Sequence, residues 1–385
     1  MPLVDTLRLV GAFGTNKVMA GELSRLCKRA LTRHRLATPR KAGSGALVYP
    51  FDPNVARVAA MYHRTASRVL WDLAESSAAR LEPLYDDLVD ALSSDQRAVF
   101  WDGASLSVRA RSVSRFAAGE RQIVGTVKNA ICDAAAARGM TLSVDPGAPD
   151  VNVAVRQHDD VTTVSLDLVG HAMHRRGYRT RTGQAPLRET LAAALLMLAR
   201  WDARSDVLVD PMAGSGTIGI EAALMGPGRP LWRPDEVAMF RLPGCGDLPR
   251  DAPPLFGDTV PRVVVNDIER GMCEVARDNA RRAAVNLSIE AGDFRRLDRA
   301  TVTRSVGGDA ERGVIVSNPP YGERMDAELL RLYKDLGAWC AQFSGWRAGF
   351  LVANQEFEAA FGRKPRVRKP LRNASIPAMF YLYDL

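Results

Sequence analysis

The sequence has no uninterrupted apolar run longer than Leu191 to Ala199, under half of the roughly 20 residues that a bilayer-spanning helix requires. Asp5 and Arg8 interrupt the N-terminal stretch where a secretory leader would place its apolar segment. Together these absences predict neither a membrane nor a secreted protein. Cysteine is scarce: Cys27, Cys132, Cys245, Cys273 and Cys340 are scattered, with no C-x-x-C pair and no histidine at ligand spacing. That pattern excludes a disulfide scaffold and a zinc module, predicts no metal, and points to reduced thiols in a cytoplasmic setting. Lysine is rare as well, with 7 against 45 arginines. The arginine bias suits phosphate and base contacts, and it also fits the codon bias of a GC-rich genome.

What is present is a chain of 385 residues, 46% hydrophobic and 25% charged, a globular composition long enough for two or three domains at about 150 residues each. The formal net charge of +8 is unevenly placed. Residues 1–80 hold 13 Lys and Arg against 5 Asp and Glu, while residues 81–180 hold 11 against 13. A second basic run, Arg363, Lys364, Arg366, Arg368, Lys369 and Arg372, contains no acid. Localised positive charge is the footprint of a phosphate-backbone binder, with a solvated face as the plain alternative.

Along the chain, Thr6–Val10 reads as a strand and Lys17–Ala30 as a helix. A second helix is expected over Val55–Leu73, beyond the Gly- and Pro-punctuated stretch 39–53. Mixed α and β patterning follows, with helices at Leu84–Leu92 and Ile123–Arg138 and strands at Ser105–Arg111, Val151–Arg156 and Val161–Leu168. Two adjoining small α+β units are expected there. Near Arg181 the rhythm changes: a helix through Leu198 precedes strands at Val207–Val209, Val263–Val265, Val314–Val316 and Gly349–Val352, each leading toward helical sequence. Repeated strand-then-helix units predict a parallel sheet with crossover helices. The insertion from Gly226 to Pro261 holds 8 of the 22 prolines, and it is expected to form a lid or an oligomer contact.

The chemistry concentrates at strand ends. Val207–Val209 runs into Asp210-Pro211-Met212-Ala213-Gly214-Ser215-Gly216-Thr217, whose glycines allow close backbone approach and whose following helix offers free N–H groups to a nucleotide-like ligand. Alone, such a turn is equally a structural one. The next strand ends in Asn266-Asp267-Ile268, placing an acid where it can accept hydrogen bonds from both hydroxyls of a ribose, or simply cap the following helix. A third strand-like segment, Ser288–Ala291, ends in Gly292-Asp293-Phe294. Asp293 can accept from an adenine amino group or make only local turn bonds. Three tips on consecutive strands meeting one crevice weigh more than any one residue.

The fourth strand ends in Ser317-Asn318-Pro319-Pro320-Tyr321-Gly322-Glu323-Arg324. Prolines lack N–H groups and stiffen the loop, so the Asn318 side-chain oxygen and the Pro319 carbonyl can both face one site as acceptors. Two acceptors directed at an exocyclic NH2 would localise its nitrogen lone pair. Tyr321 is positioned in sequence to stack on a flipped base.

These residues together resemble the class I S-adenosylmethionine-dependent methyltransferases that modify exocyclic amines. DPMAGSG resembles the first motif, ND the ribose-binding acid, GD the adenine contact and NPPYGER the catalytic loop. Upstream, His174-Arg175-Arg176-Gly177-Tyr178-Arg179, Thr182-Gly183 and a helix from Pro186 resemble the connector of methyltransferases carrying an N-terminal THUMP domain. Within that group the chain is similar to the guanine-N2 enzymes of large-subunit ribosomal RNA and to the related transfer-RNA enzymes. The resemblance implies an α/β fold with a ferredoxin-like module over 1–70, a THUMP RNA-binding domain over 71–180 and a Rossmann-like catalytic domain over 181–385, closed by an antiparallel strand at Met379–Tyr383. It implies S-adenosylmethionine held by Asp210, Met212, Ala213, Gly214, Gly216, Thr217, Asp267, Ile268, Asp293, Phe294 and Asn318. The catalytic residues are then Asn318, Pro319, Pro320 and Tyr321, and the partner is RNA, 23S ribosomal RNA foremost. The turn Gly11-Ala12-Phe13-Gly14-Thr15 departs from the family's form, and a single catalytic domain implies one methylation activity.

Rival readings are a transfer-RNA guanine-N2 enzyme, an adenine-N6 methyltransferase, and an RNA-binding assembly factor without catalysis. A cytosine-C5 enzyme needs a thiolate near the loop, and no cysteine lies near Asn318 to Tyr321. A dinucleotide oxidoreductase would need the third glycine of G-x-G-x-x-G, which DPMAGSG lacks.

Overall fold

A computed structural model describes all residues except 1–2, 98, 112–115, 117, 159, 180–186, 258 and 321–326. The chain folds into two units. The first comprises residues 1–11, 19–173 and 230–252, and the second 12–18, 174–229 and 253–385. The main break thus falls after Met173, ahead of the change of pattern near residue 181.

The first unit is built on an eight-stranded sheet of β1 (Leu3–Gly11), β2 (Arg40–Lys41), β3 (Ala46–Pro50), β4 (Ala66–Ser76), β5 (Ser105–Arg111), β6 (Ser143–Val144), β7 (Val151–His158) and β8 (Val161–Asp167), in the order β2-β3-β1-β4-β8-β7-β5-β6. The two adjoining units expected here therefore share one sheet, joined where β4 pairs antiparallel with β8. Asp72 of β4 ties this seam. Its carboxylate accepts from Thr6 and Arg8 of β1 and from Ser165 of β8 at 2.7–3.0 Å. Helices α1 (Asn16–Ala30), α2 (Pro53–Tyr62), α3 (Leu81–Ser93) and α4 (Glu120–Ala136) accompany these strands in the chain.

One expectation fails here. The helix predicted over Val55–Leu73 ends at Tyr62, and Ala66–Ser76 is the strand β4. The Glu22 carboxylate accepts from the backbone N–H groups of Arg64 and Thr65 at 2.8 and 3.0 Å, which takes those donors out of a helical ladder. Leu70 through Ala74 are all buried, Asp72 among them, so β4 shows a continuous buried run in place of alternation, and such a run cannot be told from a buried helix by period.

The second unit carries β9 (Val207–Asp210), β10 (Val263–Asp267), β11 (Ser288–Ala291), β12 (Gly313–Ser317), β13 (Arg347–Val352), β14 (Val367–Asn373) and β15 (Ile376–Asp384), in the order β11-β10-β9-β12-β13-β15-β14. The first five pair in parallel, while β15 runs antiparallel between β13 and β14. Helices α5 (Glu189–Leu198), α6 (Thr217–Met225), α7 (Arg270–Arg282), α8 (Arg299–Val306), α9 (Ala327–Cys340) and α10 (Phe357–Phe361) supply the crossovers and cover. Both sheet faces are buried. Leu208, Val263, Val265, Val314 and Val316 pack into one core with α5 and α6, while Val207, Val209, Val264 and Ile315 pack into another with α9. This explains the continuous apolar runs of β9, β10 and β12, because each alternate side chain meets a covered face.

From β9 the chain steps outward to β10 and β11, then returns to β12 on the other side of β9. That reversal opens a crevice at the carboxyl ends of β9 and β12, the place where open α/β sheets bind ligands. The Pro-rich insertion 226–261 is divided between the two units. Its middle belongs to the first unit, where Leu231 N–H donates to Met61 O at 2.7 Å and Met239 N–H to Leu168 O at 2.8 Å. Val237, Ala238, Met239, Phe240 and Leu242 are buried, and burying those apolar turns is what holds the segment down.

Candidate active site

The first strand tip is a loop closed by its own glycines. Gly214 and Gly216 adopt φ of +53° and +81°, left-handed values that disfavour any side chain. A Cβ on Gly216 would lie 3.1 Å from Ala276 Cβ in α7, whereas one on Gly214 would meet nothing nearer than Met272 Cε at 3.9 Å. Gly216 thus allows helix packing, and Gly214 keeps open space beside the cavity. The loop is fastened to its neighbours: Asp267 accepts from Gly214 N–H at 2.7 Å, Ala213 N–H donates to Asn266 O at 2.9 Å, and Asn279 of α7 donates to Ser215 O at 3.0 Å.

Asn266 joins three tips. Its amide donates to Pro211 O at 3.1 Å and to Gly292 O at 3.0 Å, so the loops after β9, β10 and β11 share one buried side chain. Asp210, fully buried at the end of β9, accepts from Ser317 Oγ at 2.6 Å and from Met212 N–H at 3.3 Å. Burial raises its pKa to about 7 against the opposing pull of those hydrogen bonds. Asp210 therefore joins the first tip to the fourth and acts through position.

These tips enclose a cavity of about 420 Å³. Asp210, Met212, Ala213, Gly214, Thr217, Asp267, Ile268, Asp293, Phe294, Asn318 and Pro320 all line it, so the structure brings together most of the residues singled out from sequence. Pro319 is buried and Gly216 packs against α7, so these two lie outside the lining. Tyr321 falls outside the described residues. No described residue of the 226–261 insertion lines the cavity. Ile268 is 70% exposed beside Asp267, an apolar surface held open at the cavity wall. Asp293 is more occupied than expected. Burial disfavours its charge, but the backbone N–H and guanidinium of Arg295, at 3.0 and 2.8 Å, hold its carboxyl below the usual range.

The fourth tip differs in kind. Tyr333 of α9 donates to Pro320 O at 2.9 Å and fixes the loop. Asn318 Oδ1, in contrast, is a buried acceptor with no hydrogen-bond partner among the described residues. A buried acceptor without a donor costs about 1–3 kcal/mol, and groups of this kind point to a role in recognition or catalysis.

A family model described as "RMKL-like, methyltransferase domain" matches residues 176–380, which contain every one of these tips. The chain belongs to this family. Among its curated relatives, the ribosomal RNA large subunit methyltransferase K/L of Vibrio campbellii is 38% identical over 65% of the chain and 37% of its own length. That of Syntrophotalea carbinolica is 33% identical over 84% of the chain and 47% of its own length. The chain thus spans less than half the length of these relatives. The crystal structure of SMU.472 complexed with SAH matches with a TM-score of 0.79 and 25% identity, covering 100% of the chain and 99% of that structure.

Within the RMKL-like methyltransferase domain, sequence reasoning missed the supports of the site. Ser317 beneath Asn318, the Asn266 amide, Asn279, Arg295 and Tyr333 all act from beside or below the cavity. Ser317 and Asn266 carried a legible signal, because a polar residue in the buried end of a Val-rich strand needs a partner. Tyr333 and Asn279 carried none, sitting in helices whose docking is set by tertiary packing.

Proposed function

We propose that the catalytic unit transfers a methyl group from S-adenosylmethionine to the exocyclic N2 of a guanosine in RNA, with large-subunit ribosomal RNA as the substrate class and the cytoplasm as its setting. The observation that carries this reading is Asn318 Oδ1, a buried acceptor without a partner among the described residues, held at a cavity whose other wall is Asp267, Ile268 and the Gly214 loop. The names of the relatives, ribosomal RNA large subunit methyltransferase K/L, support the substrate class. Residues 1–70 as a ferredoxin-like module and 71–180 as a THUMP domain that holds RNA complete the proposal, supported by the basic first 80 residues.

The described residues fit the cofactor. Gly214 leaves space where any side chain would intrude, Asp267 has lone pairs beyond those used by Gly214 N–H and Glu269 N–H, and Ile268 offers an apolar face. Asp267 would hold ribose hydroxyls, Ile268 and Phe294 the adenine ring, and the loop 212–217 the remainder. When bound, the cofactor supplies an electrophilic methyl group on its sulfonium.

The chain's own residues address the amine. Asn318 Oδ1 accepts one amine hydrogen, and the Pro319 carbonyl, which lies outside the cavity lining here, is assigned the other; together they would draw the nitrogen lone pair out of the base and toward the reacting face. The acceptors are fixed before substrate arrives, so little reorganisation is needed at reaction. Tyr333 holds Pro320 O, and the bond from Ser317 Oγ to Asp210 anchors the residue before Asn318. Tyr321 is assigned to stack on the extruded base. The methylated amine is a strong acid and releases its proton to solvent without a dedicated base.

The test is incubation with methyl-labelled S-adenosylmethionine and, separately, ribosomal and transfer RNA from a strain lacking the gene, followed by nucleoside analysis. Labelled N2-methylguanosine in ribosomal RNA is expected. Label in transfer RNA would move the substrate, methyladenosine would overturn the base assignment, and cofactor binding without label would favour an assembly factor. Full turnover by Asn318→Ala at saturating RNA, with loss in Asp267→Ala, would overturn the division of roles.

A further inference from the structure

A second cavity, of about 580 Å³, opens in the same unit and is lined by His174, Arg175, Arg176, Arg179 and Arg188 together with Asn373 at the end of β14. Four arginines gather there around a single lining carboxylate, Glu189. The inner two are matched within the protein. Arg176 Nε lies 3.4 Å from Glu221 of α6, and Arg179 Nε lies 3.5 Å from Glu189 of α5, all four side chains being at most 10% exposed. These pairs hold the 174–179 segment against the two helices. Arg175 and Arg188 are exposed, and neither pairs with a carboxylate of a described residue.

This cavity adjoins the reaction cavity. Leu187 lines the first and Arg188 the second. The Arg179 guanidinium also donates to Thr217 Oγ1, on the wall of the first cavity, at 2.7 Å. We infer that the second cavity is a subsite for the phosphodiester backbone on either side of the nucleotide whose base enters the first. The inference rests on the RNA methyltransferase reading above. A base swung out of its strand turns about its own backbone, so the flanking phosphates stay close to the base pocket and must be held for the base to remain there. Arginine forks bind phosphate oxygens in pairs. Among the described residues, two matched and two unmatched arginines leave a surplus of two positive charges, equal to the charge of the two phosphodiesters that flank one nucleotide.

The experiment uses the full chain, an RNA fragment that it methylates, and the double variant Arg175→Gln/Arg188→Gln, with Arg204→Gln/Arg312→Gln as a control. The control arginines are exposed and precede β9 and β12, at the opposite end of the strands from the cavity. The cavity variant is expected to raise KM for RNA about tenfold and to lower the slope of log affinity against log salt by about 1.4, at roughly 0.7 per phosphate contact on a single strand. Its thermal stabilisation by S-adenosylhomocysteine should match wild type, and the control should change neither RNA measure. Wild-type KM and slope in the cavity variant would overturn the subsite. Loss of stabilisation by S-adenosylhomocysteine with RNA binding intact would also overturn it, assigning the arginines to the cofactor's carboxylate. Failure of the wild-type protein to methylate any RNA would remove the parent reading, visibly and before any variant is made.

Discussion

The two ends of the cavity at the strand tips are built on opposite terms. Around the loop 210–217, polar groups are paired with the protein itself: Gly214 N–H with Asp267, Ser317 with Asp210, and Asn266 with two carbonyls. At the fourth tip, Asn318 keeps a buried acceptor unpaired among the described residues. The paired end contributes to folding as well as to binding, so its residues should be hard to change without losing stability. The open end costs stability and leaves recognition capacity unused until substrate arrives. Stability and activity should therefore respond separately to substitution at the two ends.

Asn318→Ala should separate them most sharply. It is expected to lower turnover about 10²–10³-fold, the range for losing one aimed polar group in a reaction site, while Tm stays level or rises because an unpaired acceptor is gone. A fall in Tm together with activity would break the contrast. Asp267→Ala comes next, with cofactor affinity reduced on the order of 10–100-fold and stability lowered by about 1–2 kcal/mol, because Gly214 N–H loses its acceptor. Calorimetric unfolding and titration with S-adenosylhomocysteine read both, and an unchanged Tm would show that the paired end is paired for the ligand alone. Gly216→Ala should cost about 2 kcal/mol in denaturant unfolding, from its positive φ and the 3.1 Å approach to Ala276. Gly214→Ala, with φ also positive but space around it, should cost less stability and more cofactor affinity.

The smallest effect concerns pH. Asp210 has its folded pKa raised to about 7 by burial, well above the roughly 3.9 of an unfolded Asp, so between those values the folded state binds the extra proton. Its contribution to stability is then greatest at low pH and declines as pH rises from about 4 through 7, at up to about 1.3 kcal/mol per pH unit. Asp210→Asn should remove that decline, seen as a flatter Tm profile between pH 5 and 8 than wild type. Parallel profiles would place the titration elsewhere.

Legibility followed the range of the interactions. The parallel strands of the second unit were readable because every side chain of Val207–Val209 and Val263–Val265 is buried, and short β-branched runs bounded by polar tips are the pattern of a sheet covered on both faces. The same double burial misled over β4, where Leu70–Ala74 reads as a buried helix until Glu22, over 40 residues earlier, captures the N–H groups of Arg64 and Thr65. The insertion 226–261 was legible as an anomaly of composition. Its Pro-rich composition marks irregular backbone, but which surface buries Met239 and Phe240 is not a local property.

By itself, then, the sequence determined the strand tips and their chemistry: a glycine loop after β9, an acid after β10, and an asparagine before two prolines after β12. Each depends on backbone freedom, N–H content or acceptor geometry within a few consecutive residues, which are properties of the residues themselves. Tertiary structure alone decided which of those groups are paired and which are left open. The bond from Gly214 to Asp267, the buried link from Ser317 to Asp210, the Asn318 Oδ1 left unpaired among the described residues and the arginine cavity beside Leu187 all depend on segments distant in sequence. Such segments meet only when the burial of two apolar sheet faces brings the strands into register.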